Sequence, residues 1–350
     1  MVTFCYHIPR ASQRRATGGF SLPKYQSAPA RGTEIYSKPA LPEHEFLDRW
    51  VERGLVLGDR ERAARYLRHI GYYRLSAYVR SFEAGTRDQM RPGTSFDDVL
   101  GLYIFDRKLR LTVLDPLERV EIAVRAAICD RMSLTAGPHW YEDPERFRVP
   151  RVHERLLNDI DRLVGEQRRR PHEPTDRETF VSALEHYVTR YGTPERPPCW
   201  PAFEEVNLGT VRNVYAALAD PAAKNAIAES LGTRAPILES WLLTYRRVRN
   251  ICAHHGRLWN RGLGVYPATP RSSAIRWLDD RSLFHRDGWR RRRLFPVLVS
   301  LQTMLHTIAP TSRWALRVED LLREHPTVPL AGMGIPDDWL SDPFWPSASP

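Results

Sequence analysis

The chain has 350 residues, 42% of them hydrophobic and 27% charged, a balance that suits a water-soluble protein with a full core in one large or two modest domains. No apolar run approaches the roughly 20 residues that a membrane-spanning helix needs, which argues against an integral membrane protein. The formal net charge of +10 points to an anionic partner, nucleic acid before membrane, although only four of the 52 basic residues are lysine and this arginine bias reads in part as genomic.

Residues 1–37 hold Pro9, Pro23, Pro29 and the pair Gly18 and Gly19, with no acidic residue before Glu34, and read as a disordered basic leader. A first helix is predicted after Pro42, with Phe46, Leu47 and Trp50 on one side and Gly54 as its stop. Asp59 caps a second, where Ala63, Leu67, Ile70, Tyr73 and Ala77 recur at helical spacing up to Phe82. Ser95 and Asp98 resemble a capping box and open a long apolar-striped helix from Val99 through Ile128, with Pro116 expected to kink it. Beyond the turn at Gly137 and Pro138, helices are predicted near 151–169, 177–191, 209–219, 221–231, 236–260, 291–309 and 314–324. No alternating apolar run bounded by turn residues suggests a strand. The body, 38–325, therefore reads as all-α with no significant sheet, and 326–350 as an extended tail that packs Trp339, Phe344 and Trp345 onto the body.

The cysteines, Cys5, Cys129, Cys199 and Cys252, form no CxxC pair, so neither a disulfide framework nor a zinc knuckle is expected, and a reducing cytoplasm is the default setting. There is no Walker loop, no GxGxxG after a strand, no GxSxG, no HExxH and no nucleotidyltransferase signature. Neither metal nor cofactor is expected.

One stretch concentrates chemistry. RNICAHHGRLWNR, residues 249–261, closes an amphipathic helix. On a wheel at 100° per residue, Ile237, Leu238, Trp241, Tyr245, Val248, Cys252, His255 and Trp259 share the core side. Asn250 and His254, one turn apart, point nearly opposite, flanked by Arg246 and Arg247, while Arg249 sits at the edge. Leu243 also lies on this polar side, as it would if a second protein surface covered the face. The spacing of Arg and His alone carries no weight, because an Arg followed by His after four to six residues occurs six times in this arginine-rich chain. The Asn next to Arg249, the double His and the amphipathic helix distinguish this copy. Arg148 with His153 is interrupted by Pro150, and Arg62 with His69 lacks the Asn.

With ERAARYLRHIGYYRLSAYVRSF near residue 61, GTSFDDVLGLYIFDRKLRLTVLDPLERVEIAVRAAI from Gly93, GPHWYEDPERF from Gly137, PPCWPAFEEVNLGTV from Pro197 and MGIPDDWLSDPFW in the tail, this block resembles the Abi-like (AbiD or AbiF) proteins of abortive infection, of the HEPN superfamily. The resemblance implies a HEPN-type helical bundle elaborated with additional helices. It also implies a metal-independent endoribonuclease site of the form Arg, Asn, three residues, His, filled here by Arg249, Asn250 and His254. His255 is assigned to packing or support. Since such sites usually pair two copies of the helix and the chain holds one, a homodimer is expected, acting on RNA as the toxic effector of an antiphage or toxin-antitoxin system. A small-RNA or protein antitoxin is a possible partner, and a non-catalytic RNA-binding protein is the alternative.

Weaker RNA contacts are assigned to Arg246, Arg247, Arg257, Arg74, Arg290 and Arg291. The YYRLSAY run, Tyr72–Tyr78, offers stacking faces beside Arg74, although Tyr73 and Ala77 read more readily as core and Arg74 as paired with a carboxylate. Asp106, Arg107, Lys108 and Arg110 read as surface charges, and Glu118 and Glu121 as salt-bridge partners of Arg125.

Overall fold

The structure, a computed structural model, describes residues 32–33, 35–37, 39–85, 89–169, 181–285 and 288–345. The leader expected over 1–37 lies almost wholly outside the described residues. Glu43–Pro350 forms one compact unit.

The described residues are largely helical and contain no β-strand, only three isolated bridges, so the fold is all-α. Helix α1 (Glu43–Glu52) is followed by α2 (Arg60–Ile70), whose N-terminus is capped by the Asp59 carboxylate accepting from the Arg62 amide at 2.8 Å. The helix expected to run on to Phe82 instead breaks at Gly71, which adopts φ 90°, ψ 142° and releases the chain into α3 (Tyr72–Val79). Only a residue without Cβ tolerates that conformation cheaply, so the stripe on the two sides of Gly71 belongs to two helices at an angle.

Helix α4 (Phe96–Ala136) is the axis of the fold. Ser95 and Asp98 form the full reciprocal capping box, and the 41-residue helix, about 60 Å long at 1.5 Å per residue, runs through Pro116 to Gly137. Then come α5 (Pro150–Arg169), α6 (Ala183–Arg190), α7 (Cys199–Glu205), α8 (Leu208–Ala217), α9 (Pro221–Ser230), α10 (Ala235–Ala253), α11 (Phe295–Ile308) and α12 (Trp314–Glu324). Of these α7 was not anticipated. Helices α3 and α7 to α12 all pack directly on α4, and α10 also meets α8, α9 and α11.

Because α4 is surrounded, it buries side chains on several faces, including charged ones. Asp106 is fully buried and Arg110 nearly so, which corrects their reading as surface charges. Trp314 at the start of α12 donates its indole N–H to the Thr112 carbonyl at 2.7 Å, and Trp241 of α10 stacks on Trp277 with centroids 5.7 Å apart. At the C-terminal end Trp339, Phe344 and Trp345 are buried, with Trp345 stacked on Phe295 of α11. None of the helices of the described residues is long and apolar enough to cross a membrane.

Candidate functional site

Helix α10 is anchored by Leu238, Trp241, Tyr245, Val248 and Cys252, all buried at three- and four-residue spacing as the wheel predicted. Leu242, Thr244 and Ile251 are buried too, since neighbours wrap the helix on more than one side. What stays open is a sector about 120° wide, in which Arg246, Arg247, Asn250 and Ala253 are exposed and Leu243 is half-covered. Burial pushes the Cys252 thiol up to about 12, so it is inert beside this face.

The helix ends seven residues earlier than expected, and its ending places the histidines. His254 is the C-cap, with φ −88° and ψ 14°, and is exposed. His255 turns left-handed at φ 56°. Its amide donates to the Cys252 carbonyl at 3.0 Å and the Gly256 amide to the Ile251 carbonyl at 2.8 Å, the paired bonds of a Schellman motif. His255 is therefore not core-facing: it is exposed, in a position where glycine is usual, at a backbone cost of roughly 1–2 kcal/mol.

That conformation is held from outside. The buried Asp106 carboxylate accepts from the Leu258 amide at 3.0 Å, the Trp259 amide at 2.6 Å and the Tyr78 hydroxyl at 2.6 Å, and pairs with Arg110. One carboxylate from α4 thus fixes the first residues after the turn and a hydroxyl of α3 together, with every acceptor site used. Burial first, then the Asp106 charge, raises the Tyr78 phenol, which stays neutral and donating. Arg74 donates to the His255 carbonyl and Arg257 to the Ala77 carbonyl, stapling α3 to the turn from both sides. Arg74 meets a carbonyl, not the carboxylate expected. Arg257 is half-buried, and desolvation lowers its pKa.

Between α3 and the turn lies a groove of about 480 Å³ lined by Tyr72, Tyr73, Arg74, His254, His255 and Arg257, with Ile70, Gly71, Ala77, Tyr78 and Gly256 completing its walls. Tyr73 is 73% exposed here, which corrects its assignment to the core.

Arg249 and Asn250 do not line this groove. Asn250 is exposed on the open sector. Arg249 leaves the helix about 140° around from His254 and has its Nε 3.8 Å from Oε2 of Glu121, a nearly buried carboxylate whose other oxygen holds Arg125 at 2.5 Å. The expected Glu121–Arg125 pair is present; its link to Arg249 was not foreseen. Arg246 packs beside Gly209 at the start of α8, and its charge adds to burial in lowering the pKa of Arg212. Arg290 and Arg291 sit elsewhere, in a short 3-10 turn with Arg290 over the Trp289 ring. Among the described residues no cluster of three or more His, Cys, Asp or Glu side chains is placed to hold a metal ion.

An all-helical protein with an Arg-Asn-x-x-x-His element at the end of a core helix, opening onto a cationic groove, is the class of molecule these features define. A family model described as Abi-like protein matches residues 65–260, from within α2 to the end of the turn after α10, and the chain belongs to that family. No curated protein and no solved structure matches it.

Proposed function

We propose that this Abi-like protein is a HEPN-type endoribonuclease that cleaves RNA without a metal, as the toxic effector of an abortive-infection or toxin-antitoxin system in the cytoplasm. The observation that carries the reading is His254, exposed at the helix end and bordering a groove whose lining includes two arginines and no carboxylate.

RNA supplies its own nucleophile. An imidazole takes the proton from the 2′-hydroxyl, the 2′-oxygen bonds to phosphorus, the bond to the 5′-oxygen breaks, and that oxygen leaves with a proton from an acid. A 2′,3′-cyclic phosphate and a 5′-hydroxyl remain. Such proton transfer typically contributes about 10²- to 10⁴-fold. A guanidinium suits the charge growing on the non-bridging oxygens, because it donates two parallel hydrogen bonds and keeps its charge. Asn250, one turn before His254, is assigned to orient the imidazole or the phosphate.

A single chain offers one Arg-Asn-x-x-x-His element, and its Arg249 and His254 diverge around the helix. Two copies of α10 facing each other would supply both an acid and a base and bring guanidinium groups to the shared phosphate, so the working form is a homodimer. The half-covered Leu243 within the polar sector supports a protein surface there.

The competing reading, a non-catalytic RNA-binding protein held by a small RNA or protein antitoxin, draws support from the Arg249–Glu121 contact, which partly neutralises the arginine. His254→Ala separates the two. Loss of growth toxicity with RNA binding retained supports the nuclease; toxicity undiminished by the substitution contradicts it.

A further inference from the structure

The groove between α3 and the turn after α10 is larger than the reacting groups require, and its composition is specific. Its about 480 Å³ falls in the range of small-ligand sites and can take a nucleoside. Tyr73 presents its ring to this space at 73% exposure, while the ring behind it is fixed. Tyr72 stacks on Phe46 with centroids 3.9 Å apart and on Trp50 at 5.4 Å, and meets Tyr73 edge-on at 5.8 Å. One exposed tyrosine is unremarkable on any protein surface. Here it stands over a groove whose two walls, one carrying the ring and the other the imidazole, are stapled by Arg74 and Arg257 through main-chain carbonyls.

The charge of the lining narrows the occupant. It contains Arg74, Arg257, His254 and His255 and no acidic side chain, which favours a polyanion; the aromatic face favours one that carries flat bases. A phosphorylated or acidic peptide would use the cations but has no need of an exposed aromatic face in the same groove as an exposed histidine.

Resting on the assignment of His254 as the reacting histidine, we propose that this groove is a nucleobase subsite, in which Tyr73 stacks on a base adjoining the phosphodiester presented to His254. Tyr73 is then the residue that registers a single strand on the site. Duplex RNA, whose bases are stacked on one another, is excluded from it, and purines, with the larger π-face, are held better than pyrimidines.

The test uses the full chain and a uridine-rich single-stranded RNA in which every 2′-oxygen is methylated, so that cleavage is blocked, with one 2-aminopurine as reporter. The wild-type protein should bind the strand and change the reporter's fluorescence on stacking. Tyr73→Phe should preserve both effects. Tyr73→Ala and Tyr73→Leu, the second keeping apolar bulk without a π-face, should weaken binding on the order of 10-fold or more and abolish the fluorescence change. Equal affinity and an equal signal in either of those two variants would overturn the subsite while leaving the nuclease reading in place. A wild-type protein that binds no RNA, and binds only a protein partner through this face, would overturn both.

Discussion

At the scale of single residues, His255 shows how a functional helix end is built. A histidine held at φ 56° sits where glycine is cheapest, and it is tolerated because Asp106, Arg74 and Arg257 fix the chain on both sides of it. Two conformations of this position make opposite predictions. In a continuing helix, Gly at 255 would be about 1 kcal/mol worse than Ala. In the left-handed turn the order reverses, since Ala keeps the strain that Gly relieves. His255→Gly should therefore be more stable than His255→Ala by about 1 kcal/mol in urea unfolding; the opposite order would mean that the helix runs on through this residue. The sequence shows no stop here because the residue that ends the helix is not a glycine. Gly256 was legible, but the left-handed position falls one residue before it. The burial of Asp106 was equally hidden: the amides that donate to its carboxylate in the core, those of Leu258 and Trp259, lie some 150 residues away in the chain.

At the scale of elements, α4 and α10 position the site. Both were legible where the signals were local: the capping box at Ser95 and Asp98 marked the start of α4, and buried residues at helical spacing marked the inner face of α10. The break at Gly71 was not, because Ile70, Tyr73 and Ala77 continue a helical spacing across it and Tyr73 takes on a different role once α3 turns. Nor was α7, whose seven residues include Pro201 and are too few to display a period. Helix α4 also exposes Ile104, Leu111 and Ile122, at 37%, 55% and 55%, and steps of seven and eleven residues bring them to within about 20° of one line. On the helix whose Glu121 reaches Arg249, that apolar ridge is the surface we propose the homodimer buries. Leu111→Arg and Ile122→Arg should leave the melting temperature nearly unchanged, reduce the mass measured by light scattering to that of one chain, and abolish cleavage with His254 intact. An active dimer in both variants would place the twofold elsewhere.

At the scale of the whole molecule, the C-terminal aromatic segment closes the core over α11, and its docking should depend on acid. His306 of α11 has its Nε2 3.2 Å from the Phe344 carbonyl and its ring edge-on to the Phe344 ring at 5.2 Å. Burial, and then the nearby Arg276 charge, pulls its pKa from 6.5 down to about 4. The unfolded chain therefore binds the proton more readily than the folded one between those values, so this group's contribution to stability is complete above pH 6.5 and is lost as the pH falls toward 4. Removing the titrating group in His306→Asn should flatten the decline of the melting temperature over that window relative to wild type; parallel curves would show that His306 does not report on the docked segment. The burial of Trp339, Phe344 and Trp345 was foreseeable from their apolar bulk in a polar tail, whereas the pairing of Phe344 with His306 depends on a tertiary contact across 38 residues. Membership of the Abi-like family and the all-α class could be read from the chain, while the form of the groove beside His254 needed the fold.

The bond that is broken decides between a metal-independent nuclease and any other activity. Purified protein should be incubated with a single-stranded RNA in the presence of EDTA and the new ends identified by mass spectrometry and by their response to end-modifying enzymes. A 2′,3′-cyclic phosphate on one fragment and a 5′-hydroxyl on the other, formed by wild type and not by His254→Ala, is the expected result. Cleavage that stops on chelation, leaves a 5′-phosphate, or proceeds equally well without the His254 imidazole would contradict it.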